Sequence, residues 1–156
     1  MIKTDKKNNK FDQIKSIQIL FEGVSFAAHE DLKSKAKELF KGKQIDFVYY
    51  LDRKKYPEDY QKSVHTTYLC RSDFSFFKKI KDPNIKASVL DKKHDLLLVS
   101  AFKTSKNSNK LISLKKVDIT IGAERETLPN FDISFMLEKD DHEALMRLVV
   151  KYLKNV

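Results

Sequence analysis

Four short apolar runs, each opened by an aspartate, constrain the fold of this chain more than any other feature. They read Asp46-Phe-Val-Tyr-Tyr-Leu, Asp95-Leu-Leu-Leu-Val-Ser, Asp118-Ile-Thr-Ile-Gly and Asp132-Ile-Ser-Phe-Met-Leu. Runs this nearly continuous suit strands covered on both faces, because a strand covered on one face alternates apolar with polar residues. A fifth run, Ser16-Ile-Gln-Ile-Leu-Phe, precedes them. The pattern predicts an α/β fold: a single three-layer domain with a mostly parallel sheet of about five strands flanked by helices.

The segments between the runs read as helices and loops. Leu32, Ala36, Leu39 and Phe40 form one stripe at helical spacing, predicting a helix over 29–41, with Lys33, Lys35, Lys37 and Lys41 mostly off the stripe and Gly42 as its C-cap. With the strand that follows at 45–51 this makes a right-handed strand–helix–strand unit. The stretch 63–70 is a possible edge strand, and Asp73-Phe74-Ser-Phe76-Phe77 is placed to anchor the middle of the chain on the core. Asp82-Pro83 starts a further helix. Ser108 is expected to cap a short helix over 109–115, and Asp140 with Glu143 to open the last one, whose apolar face is Leu145, Leu148, Val149, Tyr152 and Leu153. Residues 1–10 read as a flexible basic arm, and 11–156 as one domain with no repeat or linker.

At 156 residues the chain can bury a substantial core. No run approaches the roughly 18 apolar residues of a membrane span, and no apolar segment follows the basic start as a secretory signal requires. The lone Cys70 offers neither a disulfide nor a zinc framework, so the cytoplasm is the expected compartment. The net charge is +9, yet only four of the 31 basic residues are arginine. Lysine is a hydrated point charge, suited to polyanions through counterion release and equally to a solubility coat.

Catalytic chemistry finds no support. His29, His65, His94 and His142 stand in no ligand spacing, and His142 falls in the first turn of the last helix, where exposure is expected. Cys70, beside Arg71, reads as a small buried hydrophobe. The strand-opening aspartates lie at the amino ends of strands, whereas ligands of parallel sheets gather at the carboxyl ends. Backbone amides are therefore their expected partners.

One constellation reads as a site. If the strands at 45–51 and 95–101 are parallel neighbours, Arg53, Lys54, Lys55, Lys103 and Lys106 converge at their carboxyl ends, with Ser25, Thr104, Ser105 and Ser108 as hydroxyl donors. Tyr49, Tyr50, Tyr56, Tyr60 and Tyr68, interleaved with Arg53, Lys54, Lys55 and Lys62, could stack on unpaired bases or pack in the interior.

The succession Asp73-Phe74, Lys93-His94-Asp95-Leu-Leu-Leu-Val-Ser, Val117-Asp118-Ile-Thr-Ile-Gly122 and Phe131-Asp132-Ile-Ser-Phe, closed by Tyr152-Leu153-Lys154, resembles an uncharacterised family of the Bacteroidota phylum. That resemblance covers most of 16–155 and brings no activity with it. The D-L-L-L-V and I-G pattern is also similar to the N-terminal half of heptosyltransferase-like glycosyltransferases, without the second half or a donor-sugar motif. The expected function is a non-catalytic cytoplasmic binding or adaptor domain whose basic face meets an anionic partner, RNA or the ribosome foremost. The alternatives are a nucleotide or nucleotide-sugar binding domain related to half a glycosyltransferase, and a protein-interaction module whose charge only solubilises. Neither a metal nor another cofactor is expected.

Overall fold

A computed structural model describes residues 9–57 and 65–156. Six strands form one sheet: β1 Ser16–Glu22, β2 Gln44–Leu51, β3 Thr66–Cys70, β4 His94–Ser100, β5 Val117–Ala123 and β6 Ile133–Phe135, in the order β3-β2-β1-β4-β5-β6. Every pairing is parallel. The sixth strand beyond the expected five is β3, the possible edge strand, which among the described residues begins at Thr66; positions 63 and 64 lie outside them.

The helices are α1 Lys10–Gln13, α2 Phe26–Leu39, α3 Pro83–Lys86, α4 Lys106–Leu114 and α5 His142–Lys154. They divide over two cores. Ile17, Ile19 and Phe21 of β1, with Leu96 and Leu98 of β4, face Leu32 and Ala36 of α2 and Leu145, Val149 and Leu153 of α5. Leu20, Leu97 and Val99 face the other way, towards Val89, Leu90, Leu111 and Ile112. This two-residue alternation between two covered faces is why the runs contain so few polar residues.

Two of the four strand-opening aspartates, Asp95 and Asp132, serve the backbone as expected, while Asp118 faces Lys93 Nζ at 3.8 Å. Asp95 Oδ2 accepts from the amides of Lys15 (2.8 Å) and Ser16 (3.2 Å), while Ser16 Oγ accepts from the Asp95 amide (3.0 Å). Asp132 and Thr120 make the same reciprocal pair, at 2.8 and 2.9 Å. Asp46 differs, taking Lys92 Nζ and His94 Nε2, each at 2.7 Å. His94 is fully buried, and its Nδ1 faces Lys115 Nζ at 2.8 Å. Burial alone would raise the Asp46 carboxyl, but the Lys92 and His94 hydrogen bonds outweigh it and hold the pKa low. Lys115 also donates to Val89 O (3.0 Å), as does Gln18 Nε2 (2.9 Å). That carbonyl belongs to the π turn Ala87–Asp91 continuing α3, and its two side-chain donors keep it satisfied. Burial lowers the Lys115 pKa to about 8.

Several expected boundaries move. Helix α2 starts three residues early because Ser25 is its cap, with Oγ accepting from Ala28 N (3.2 Å). Lys33 lies inside, donating to Thr66 Oγ1 at 3.1 Å. Ser105 caps α4 in place of Ser108, and Asp141 caps α5 in place of Asp140. Met146 and Val150 join the buried face of α5, while Leu148 is half-buried and Tyr152 sits at the margin of exposure. Phe74 anchors on the core as expected, but Phe76 and Phe77 stand in solvent. Of the arm expected over 1–10, residues 1–8 lie outside the described residues. Asn9 caps α1, and Lys10 N donates to Val156 O at 2.8 Å.

Candidate functional site

Parallel pairing brings the carboxyl ends of β2, β1 and β4 to one edge of the sheet. The order reverses beside β1: the chain winds outward to β2 and β3 on one side, then returns to β4 and continues to β6 on the other. In open α/β sheets the loops part at such a reversal and leave a crevice. Two adjoining clefts open here. One, of about 430 Å³, runs from Glu22–Ser25 to Tyr50, Asp52 and Arg53. The other, of about 350 Å³, runs from the same Glu22–Ser25 segment to Lys103, Asp140 and His142. Gly23, with φ +76°, turns the chain sharply from β1 towards the Ser25 cap.

Glu22 forms the shared floor. It is 8 % exposed, and its carboxylate accepts from Ser105 N (3.1 and 3.0 Å), Ser105 Oγ (3.3 Å) and Ser108 Oγ. The chain's own carboxylate thus occupies the amino terminus of α4, where helix amides would draw a negative group. Burial raises the Glu22 pKa and the charge of Asp52 adds to it, against the lowering effect of the serine hydrogen bonds. Asp52 moves the other way, held low by the guanidinium of Arg71 at 2.9 Å. Tyr50 Oη bridges the two sides, donating to Asp52 (3.1 Å) and accepting from Asn107 Nδ2 (2.9 Å).

His142 is half-buried where exposure was expected. Its Nδ1 lies 2.8 Å from Ser100 Oγ and its ring stands edge-on to Phe102. Burial lowers its pKa, which favours the neutral ring.

The five predicted cations share this edge but not one position. Arg53 lines the first cleft and Lys103 the second. Lys54, Lys55 and Lys106 are exposed and line neither. Strands β2 and β4 are parallel as expected, but β1 lies between them, which separates Arg53 from Lys103 by the width of the Glu22 floor. No ion pair ties any of the five among the described residues.

The tyrosines are mostly interior. Tyr49, Tyr50 and Tyr68 are buried, and Tyr56 donates its hydroxyl to Tyr49 O at 2.7 Å. Tyr60 and Lys62 fall outside the described residues. Cys70 is buried away from both clefts, its Sγ beside Ser72 Oγ (3.1 Å) and Asp73 Oδ2 (3.3 Å). Among the described residues no three His, Cys, Asp or Glu side chains are grouped to hold a metal ion, and no helix is long and apolar enough to cross a membrane.

Sequence reasoning missed Glu22, Asp52 and His142. Glu22 had one available signal, its position as the last residue of an otherwise apolar run, where a carboxylate is costly unless something binds it.

A family model described as a family of unknown function (DUF6913) matches residues 1–156, and the chain belongs to that family. No curated protein and no solved structure matches it.

Proposed function

We propose that this chain is a non-catalytic binding domain whose ligand is a small phosphorylated molecule of nucleotide type, held across the carboxyl edge of the sheet. The observation that carries this reading is the pair of clefts meeting at the reversal of strand order, one lined by Arg53 and the other by Lys103. A phosphate at either cation gains a charge-assisted contact. The half-exposed Asp52 carboxylate in the first cleft keeps acceptor capacity beyond its Arg71 and Tyr50 contacts and is suited to sugar hydroxyls. Glu22 supports a compact ligand over a long one, because it penalises negative charge directly above β1 and leaves the two flanks as the places for phosphate. The nucleotide-sugar alternative falls within this class, and a Bacteroidota origin and cytoplasmic setting are part of the same proposal.

The test is a thermal shift and calorimetric titration with nucleoside mono- and diphosphates, dinucleotides and nucleotide sugars. A ligand at about 100 times its Kd should stabilise the fold by about 2.7 kcal/mol. Arg53→Ala and Lys103→Ala should each weaken binding without changing the unliganded Tm. If no member of the panel shifts the Tm at millimolar concentration, the reading fails.

The RNA reading is favoured by one observation, the exposure of Lys54, Lys55 and Lys106 on the same edge outside the clefts. Single-stranded RNA binding would fall with salt by about 0.7 log units per phosphate contact for each tenfold rise in salt. Replacing Lys54, Lys55 and Lys106 by alanine would flatten that slope.

A further inference from the structure

The most exposed phenylalanines among the described residues sit side by side. Phe76 is 92 % exposed and Phe77 74 %, their rings 5.5 Å apart and nearly perpendicular. They are not on a loose loop. Lys78 N donates to Ser75 O (2.9 Å), Ser75 N to Lys79 O (2.7 Å) and Lys79 N to Ser75 Oγ (3.2 Å), closing a tight turn. Below it Phe74 and Ile80 form an antiparallel bridge, and both are buried in the core. Lys78 holds φ at 61°, a conformation that strains a residue with a side chain. The fold thus roots one residue on each side of the turn and holds two large apolar rings in water at its tip.

The flanks are basic. Residues 71–82 carry Arg71, Lys78, Lys79 and Lys81 against two carboxylates, Asp73 and Asp82. Both carboxylates are engaged with the backbone: Asp73 accepts from Cys70 N and Asp82 from Asn84 N, each at 2.8 Å. The segment also runs beside Arg53 and Lys54, through Arg71 N to Arg53 O (2.8 Å) and Ser72 N to Lys54 O (3.2 Å).

We propose that this turn is a membrane-docking tip: Phe76 and Phe77 insert among the lipids of an anionic bilayer while Lys78, Lys79 and Lys81 meet the headgroups. Size decides between a bilayer and a protein partner. Two phenylalanines offer about 300–500 Å² of ring surface, whereas a stable protein interface takes about 800 Å² from each side. A bilayer needs no matching surface. It accepts any rigid apolar protrusion whose flanks carry the opposite charge to its headgroups. This inference is independent of the nucleotide reading, since neither phenylalanine lines either cleft.

The experiment is co-sedimentation of the full chain with vesicles of phosphatidylcholine alone and with about 30 % phosphatidylserine. Binding is expected to the anionic vesicles only, and to be released by about 0.5 M salt. Phe76→Ser with Phe77→Ser should weaken partitioning by at least tenfold. Its Tm should not change, because neither ring is buried. Each of Lys78, Lys79 and Lys81 replaced by alanine should cost about fivefold. The chain has no tryptophan, so Phe76→Trp gives a direct probe whose emission should shift to the blue on anionic vesicles. The proposal is overturned if the parent does not sediment with anionic vesicles at about 0.1 M salt, or if the double serine variant binds as the parent does. A self-association in the absence of lipid that the double serine variant abolishes would assign the tip to a second copy, and would overturn it equally.

Discussion

The imidazole of His29 lies face to face on the ring of Tyr49, with centroids 4.2 Å apart and planes 15° from parallel. The ring is fully buried, and neither of its nitrogens has a hydrogen-bond partner among the described residues. Burial, helped by the charge of Lys33, lowers its pKa to about 3 from 6.5. Between those values the unfolded chain takes up a proton that the folded chain refuses, so stability is lost as pH falls through this window. Phenylalanine keeps the stack and removes two unsatisfied nitrogens. His29→Phe should therefore stabilise by about 1 kcal/mol or more at pH 7, and the gain should widen by about 2 kcal/mol at pH 5. Urea melts of both chains at the two pH values decide it, and a gain that does not widen on acidification sinks the assignment.

Lys115 gives the complementary test in alkali. Its folded pKa of about 8 lies below the unfolded 10.5, so between them the unfolded state binds the extra proton and stability climbs as pH rises. Lys115→Met abolishes that climb. It also leaves Val89 O, Lys92 O and His94 Nδ1 without this donor, a loss of about 1–3 kcal/mol at pH 7. Denaturant melts from pH 7 to 10.5 should show the parent gaining on the variant throughout. Parallel curves would mean that Lys115 does not titrate in this range.

Glu22 has a folded pKa above its usual value, so its stabilising form is the protonated one, and its contribution fades as pH rises through that pKa. Glutamine mimics the neutral acid and keeps one oxygen for Ser105 N and Ser108 Oγ. Glu22→Gln should leave the Tm at pH 7 unchanged or raise it, and should tighten binding of an anionic ligand about three- to tenfold by removing a nearby charge. A drop in Tm at pH 7 would show that the charged contact with α4 outweighs the desolvation of the carboxylate.

Gly122 is required by Phe131. A Cβ added at Gly122 would lie 2.3 Å from the Phe131 ring, so the ring must move. Gly122→Ala should cost about 1–3 kcal/mol. In a Phe131→Ala background the same change should cost less than half as much, a coupling that a double-mutant cycle measures. Equal costs in both backgrounds would place the strain elsewhere.

Sequence made the sheet legible because its strands are local objects. Covered on both faces, they leave continuous apolar runs, and Asp95 and Asp132 open theirs by binding backbone amides. Helix starts were less legible. Ser105 and Ser108, or Asp140 and Asp141, are chemically equivalent caps, and only tertiary packing selects between them. The site was legible as charge but not as shape: Arg53 and Lys103 reach clefts, while β1 keeps them apart. Glu22 was hidden because its partners lie more than 80 residues away. Phe76 and Phe77 follow a buried phenylalanine, and their local composition does not distinguish an anchor from a protrusion.

The central place of β1 has a consequence for synthesis. It pairs with β2 soon after emerging, Ile17 beside Ile45, but its other edge waits for β4, Ile17 beside Leu96. At about 5–20 residues per second, that edge stays open for roughly 4–16 s of translation. During this interval it presents unpaired amides and carbonyls along a strand whose residues 17–22 are all buried in the finished fold, a template on which two nascent chains can pair. Slowing the ribosome between β2 and β4 should therefore lower soluble yield without changing the finished protein.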